Sequence, residues 1–302
     1  MVKIVRRFIP AGILLILLII LFSGCAGNPK IKDSYSVVSL LPGDQSVYGN
    51  IKVRGNEDIL SNLLTSLDIA PELQEIALDR TDSIAFSLGR GEEKPFTILV
   101  SGDFPKAVIQ GKIRKQKTWK KEKDIINYWV NEEMGIALTF LGSDIIAVTS
   151  GPVSEVIRRY AEKIPARDIP RDFLTDIPRE LELEFSISDA VLYMPLPGKM
   201  ISEAFESSKD FPIELVWITL FYLQREEQYD VSAVFRMSSE EDAVSFSKFV
   251  KLLLLVMLKR EGIGDIKSLP QTLKVTQRGT SVRIQGIPLT SEDISGFFRN
   301  KL

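Results

Sequence analysis

Ile136-Ala137-Leu138-Thr139-Phe140-Leu141-Gly142-Ser143-Asp144-Ile145-Ile146-Ala147-Val148-Thr149 reads as two apolar strands about a glycine turn. The chain repeats that pattern. Displaced by 137 positions, Ile136 to Tyr160 lies over Leu273 to Phe297 without a gap. Thr139 falls on Thr276, Gly142 on Gly279, Ser154 on Ser291 and Glu155 on Glu292. Apolar positions coincide as well: Leu138 on Val275, Ile145 on Val282, Ile157 on Ile294, Tyr160 on Phe297. Each copy runs on into a helix with an acid in its first turn, where the helix dipole favours negative charge. At the same offset Phe86 meets Leu223, Phe96 meets Ala233 and Ile98 meets Phe235, and with a small slip helix 56–67 lies over Lys199 to Ser208. An ungapped match in the same element order points to an internal duplication.

Working outward, strands are expected at Val37-Val38 and from Val47 to Val53, around the Pro42-Gly43-Asp44 turn. Asn56 is placed to cap a helix carrying Ile59, Leu60, Leu63, Leu64 and Leu67 at helical spacing. A second helix starts at Pro71. Ser83 to Leu88 and Phe96 to Val100 form a hairpin about Gly89-Arg90-Gly91. A helix near Pro105 leads to strands around Trp119 and Trp129, and a helix from Pro152 to about Lys163 closes the first half. Pro165, Pro170 and Pro178 then mark a connector, because proline removes a backbone donor and breaks regular structure. In the second half Leu215 to Leu223 is apolar nearly throughout, as expected of a strand covered on both faces. The fold class is therefore α+β: two tandem repeats of a strand, helix and hairpin unit, with mainly antiparallel sheet and helices on one face. The expected divisions are residues 1–24, a tether at 25–33, a first repeat at 34–163, the connector at 164–179 and a second repeat at 180–302.

The N-terminus carries a different signal. Lys3, Arg6 and Arg7 precede an apolar run from Phe8 to Phe22, and the small residues Ser23 and Gly24 precede Cys25. That is the layout of a secretory signal, removed from the mature protein. Phe22-Ser23-Gly24-Cys25 resembles the lipobox of bacterial lipoproteins, in which an apolar residue, two small residues and a cysteine are read by the lipidating and cleaving enzymes. Leu is usual where Phe22 stands. The resemblance implies a diacylglycerol on the Cys25 sulfur, with acylation of the new amino group. Each buried methylene adds about 0.8 kcal/mol, so two or more chains anchor the protein in effect permanently. Cys25 is the sole cysteine, so an internal disulfide is excluded. The apolar run also falls short of the ~17–25 residues needed to span a bilayer. Ala26, rather than Asp, follows the cysteine; by analogy with enteric lipoproteins this favours the outer membrane, on its periplasmic or its surface face.

Composition removes several function classes. The chain holds no histidine, the commonest general base and metal ligand near neutral pH. Ser-His-Asp and Cys-His catalysis are thereby excluded, and ordinary zinc sites with them. No cofactor and no metal are expected. Without Lys3, Arg6 and Arg7, 35 basic residues face 40 acidic ones, and that acidity argues against nucleic acid as a partner.

Three features of the body stand out. Lys112, Arg114, Lys115, Lys117, Lys120, Lys121 and Lys123 crowd around Trp119 against a single acid, Glu122. Such a segment suits an anionic surface or an acidic partner, although a lysine-protected edge strand reads the same way. Ser238 and Glu241 have capping-box spacing before a helix that thickens to Leu252-Leu253-Leu254-Leu255-Val256-Met257-Leu258. Seven consecutive apolar residues cannot share one helix face, so the helix is either sandwiched or touches something apolar. Ser245-Phe246-Ser247-Lys248 matches the Ser-x-x-Lys pattern of penicillin-binding proteins, but the companion Ser-Asp-Asn and Lys-Thr-Gly motifs are missing.

The reading that follows is a non-enzymatic, lipid-anchored envelope protein with a binding or scaffolding role. Its partners are the membrane, through Cys25, and a protein or lipid. Two rivals remain: a carrier of a hydrophobic ligand lined by Leu252–Leu258, and an envelope hydrolase using paired carboxylates some 5 to 9.5 Å apart.

Overall fold

Alternation along the strands sets the two faces of the first sheet. Its strands are β1 (Val47–Lys52), β2 (Thr81–Leu88), β3 (Phe96–Gly102), β4 (Trp119–Lys123), β5 (Asn127–Asn131), β6 (Ile136–Leu141) and β7 (Ile145–Thr149), and they lie in the order β1-β2-β3-β7-β6-β5-β4. The helices are α1 (Glu57–Ser66), α2 (Pro71–Arg80), α3 (Lys106–Ile113), α4 (Val153–Lys163) and α5 (Arg179–Ile187). This is a computed structural model, and it describes residues 37–66, 71–89, 95–163, 179–197, 212–261 and 273–294. Two compact units divide between Ser186 and Ile187.

On one face of the first sheet, Ile98 and Val100 of β3, Leu138 and Phe140 of β6, and Ile146 and Val148 of β7 form a continuous apolar layer. Ile109 and Ile113 of α3 cover it, with Phe104, Trp119 and Trp129. Trp129 meets Phe140 edge to face, with ring centroids 5.9 Å apart. Leu138 and Val148 are fully buried. Each such side chain contributes about 1.5–3 kcal/mol on leaving water.

The opposite face is built differently. Ala137 packs with Val153 and Ile157 of α4, and with half-buried Ile126, Tyr128 and Val130. Beyond it runs a buried seam of small polar residues: Asn50, Ser83, Ser87, Thr97, Ser101, Thr139 and Thr149. Strand pairing places Thr97 opposite Thr149, and their hydroxyls meet at 3.1 Å. Ser83 and Ser101 meet at 2.8 Å. The Asn50 side-chain amide and the Ser87 hydroxyl meet no hydrogen-bond partner among the described residues.

The second unit repeats the strand order. β8 (Ala190–Pro195), β9 (Ile213–Leu223), β10 (Gln228–Met237), β11 (Lys274–Arg278) and β12 (Ser281–Leu289) lie as β8-β9-β10-β12-β11. Set aside the β4–β5 hairpin, and the first unit reads β1-β2-β3-β7-β6 in the same sense. The matched glycines agree as well: Gly142 in the β6–β7 turn has φ 74° and Gly279 in the β11–β12 turn has φ 53°, a region glycine enters without steric penalty. The long helix α6 (Glu240–Glu261) follows β10, and its Phe246 is buried 5.0 Å from the ring of Phe235.

The class is thus α+β with antiparallel pairing, as the sequence implies. Three details differ. Helices are not confined to one face: α3 covers Leu138 while α4 covers Ala137, and consecutive strand residues point to opposite faces. Val37 and Val38 form a helical turn instead of a strand, closed by bonds from Leu40 N–H to Val37 O and Leu41 N–H to Val38 O, both 3.0 Å. The cap of α6 is Ser239, not Ser238: its Oγ accepts the Asp242 N–H at 3.1 Å and donates to the Asp242 carboxylate at 2.6 Å. Ser238 instead donates to the Pro212 carbonyl. Residues 1–36, the span 164–178 and the Lys199–Ser208 match lie outside the described residues.

Candidate functional site

The basic segment runs from the end of α3 through a tight connection into β4, the edge strand of the first sheet. Ile109 and Ile113, one helical turn apart, hold α3 to the apolar layer, and this leaves Lys112 on the solvent side. Successive turns carry the chain onward. Arg114 N–H donates to Gln110 O, Lys115 N–H to Lys112 O, Gln116 N–H to Ile113 O and Trp119 N–H to Gln116 O, at 3.0–3.3 Å. Arg114, Lys115 and Lys117 are exposed along this path. Trp119 begins β4 and is 8% exposed, inserted in the core beside Trp129. It anchors the strand and is withdrawn from the surface on which the sequence placed it.

From Trp119 the pleat sorts the charges. Lys121 and Lys123 share the α3 side of the sheet with Trp119, whereas Lys120 and Glu122 lie on the other side. Lys120 Nζ stands 2.7 Å from both carboxylate oxygens of Glu132. The pleat thus separates Lys121 and Lys123 from Glu122, and Lys112, Arg114, Lys115 and Lys117 stay exposed along the chain that leads into β4. At the hairpin tip Asp124 is exposed and Ile125 is 61% exposed. The sequence reading passes over Ile125, since only the hairpin geometry places it at the tip.

Cys25 lies outside the described residues. Within Leu252–Leu258 the described side chains are Leu252, which is 66% exposed, and Leu254, which is half-buried. With Val244 and Phe249, at 36% and 39%, Leu252 forms an apolar stripe on the outer side of α6. The Ser-x-x-Lys residues sit on the same helix, where Phe246 is core and Ser247 Oγ donates to the Val244 carbonyl at 2.8 Å. Among the described residues no group of three His, Cys, Asp or Glu side chains is placed to hold a metal, and no helix is long and apolar enough to cross a membrane.

Comparison with known proteins gives a family. Residues 32–286 match the family model described as outer membrane-associated lipoprotein TP0453. Among solved structures, crystal form III of TP0453 superposes with a TM-score of 0.60 at 15% identity, covering 91% of this chain and 99% of that one. Crystal form I gives a TM-score of 0.58 at the same identity, over 88% and 97%. At that identity the structural likeness speaks for the fold alone. No curated protein matches the sequence. The chain belongs to the TP0453 family of outer membrane-associated lipoproteins.

Proposed function

We propose that the mature protein begins at Cys25, carries lipid on that sulfur, and serves as a non-enzymatic binding or tethering protein of the outer membrane. The observation that carries this reading is Phe22-Ser23-Gly24-Cys25 standing just ahead of a body that belongs to a family of outer membrane-associated lipoproteins. The chain has no histidine to serve as a general base, and its sole cysteine is the lipid-attachment residue. Native purification in detergent, followed by mass spectrometry of co-purifying proteins and lipids, tests the role. A stoichiometric partner is expected. Recovery of the protein alone, together with turnover of a cell-wall substrate that an Asp or Glu substitution abolishes, would replace binding with hydrolysis.

A second reading rests on the apolar stripe of α6. Val244, Phe249 and Leu252 leave about a third to two thirds of their surface in water, a grouping that marks a contact site for lipid or an apolar ligand.

A further inference from the structure

We infer that the surface formed by the end of α3 and the α3-facing side of the β4–β5 hairpin docks onto anionic phospholipid headgroups. The juxtaposition of Lys112, Arg114, Lys115 and Lys117 with Lys121 and Lys123 carries the inference. This goes a step beyond anchoring through Cys25 and rests on it, because the anchor is what keeps the surface near a bilayer.

Three observations support it. The first is the sorting of charge. An edge strand needs only a lysine or two to discourage pairing with another strand. Here the cations extend through the connection to the end of α3, outside any strand, and the strand's own acid, Glu122, falls on the opposite side with Lys120. Glu132, the acid nearest Lys120, is held by it at 2.7 Å. In a chain whose acids outnumber its bases, 40 to 38, the exposed cations Lys112, Arg114, Lys115, Lys117, Lys121 and Lys123 are a local concentration of positive charge.

The second is Ile125. A hairpin that only had to stay soluble would gain nothing from an isoleucine 61% exposed at its tip, beside Asp124 and two residues beyond Lys123. Beside a membrane that residue can enter the headgroup layer while the cations meet phosphates. An acidic protein partner would use the charges and leave Ile125 in water.

The third is reach. From Cys25 to Val37 the chain spans at most about 40 Å when fully extended. An anchored body therefore samples the bilayer surface at high effective concentration, and a contact too weak to recruit a free protein suffices to orient a tethered one.

The test uses the full lipidated chain in vesicles. Since lipid occupies the sole cysteine, Thr118→Cys gives a unique labelling position within the surface without removing a charge. An environment-sensitive fluorophore there is read in phosphatidylcholine vesicles and in vesicles with 30% phosphatidylglycerol, with a quencher on the headgroups. Quenching about threefold stronger on the anionic vesicles is expected, and it should be lost when ~0.5 M salt shortens the screening length to about 4 Å. Lys115→Gln, Lys117→Gln, Lys121→Gln and Lys123→Gln together should abolish the difference, whereas Lys120→Gln should leave it intact. All five side chains are exposed, and unchanged circular dichroism checks that the fold survives. Equal quenching on both vesicle types, or an equal effect of Lys120→Gln, would overturn the proposal; so would a signal that appears only when an acidic protein is added. Flotation on neutral vesicles reads the anchor separately. A chain that fails to float there lacks the lipid. Salt-sensitive flotation on anionic vesicles alone would then still support the docking surface, and its absence would overturn the proposal together with the anchor on which it rests.

Discussion

Lys120 Nζ sits 2.7 Å from both carboxylate oxygens of Glu132, and both side chains are more than half exposed. The pair lies on the side of the hairpin away from α3 and fixes one lysine of the basic segment in an internal role. Exposed ion pairs contribute about 0.2–1 kcal/mol and weaken in salt. A double-mutant cycle on Lys120→Gln and Glu132→Gln should therefore give a coupling in that range in low salt and less in 1 M salt, by urea denaturation.

Trp129 is 1% exposed and packs edge-on against Phe140. It is a main filler of the apolar layer beneath α3. Trp129→Ala should cost about 3–5 kcal/mol, as cavities left by large aromatics do. The same experiment on exposed Lys121→Gln should shift the midpoint little.

Ser83 and Ser87 occupy the same strand and the same face, four residues apart, with opposite hydrogen-bond fortunes. Ser83 Oγ meets Ser101 Oγ at 2.8 Å, while Ser87 Oγ meets no partner among the described residues. A typical hydrogen bond contributes about 1 kcal/mol net, and a buried hydroxyl without a partner contributes nothing to offset its desolvation. Ser83→Ala should lower unfolding stability by about 1 kcal/mol, and Ser87→Ala should be neutral or stabilising.

Gly142 and Gly279 occupy matching turns, and both adopt positive φ. Alanine at either position carries the left-handed penalty of roughly 1–2 kcal/mol. A Cβ at Gly142 would also meet Tyr160 Oη at 2.6 Å, while at Gly279 nothing among the described residues lies within 4 Å. Gly142→Ala should accordingly destabilise more than Gly279→Ala in thermal unfolding. Equal effects would show that Tyr160 swings aside freely.

At the start of α6, Ser239→Ala should cost about 1 kcal/mol, because Ser239 Oγ accepts the Asp242 N–H. Ser238→Ala removes only an exposed bond to Pro212 and should cost less. The two substitutions compared in one melt decide which serine is the cap.

Much of this architecture is legible in the residues. The glycine-centred strand pair at 136–149 comes through because fully buried strands leave continuous apolar runs, the partly exposed pair at 273–289 because it lies over the first at a fixed offset, and Pro71 and Pro105 mark helix starts well. Legibility fails where local pattern and tertiary choice conflict. Glu180-Leu181-Glu182-Leu183-Glu184-Phe185 alternates as a strand would, yet it is helical: α5 buries Leu181 and Phe185, one turn apart, and leaves Leu183 60% exposed. Adjacent serines at 238 and 239 both fit a capping pattern, and the bonds from Asp242 N–H to Ser239 Oγ and from Ala243 N–H to Ser239 O separate them. At the candidate site the cations are evident from composition. Their sorting by the pleat, and the withdrawal of Trp119 into the core, depend on the register of β4 against β5.

The proposed membrane anchor is the lipid at Cys25, and intact-mass analysis of the protein from its own bacterium tests it most directly. The prediction is a chain beginning at Cys25, heavier than the 278-residue polypeptide by a glyceryl group and its acyl chains. A chain that still begins at Met1, with a Cys25 thiol free to react with maleimide, would contradict it.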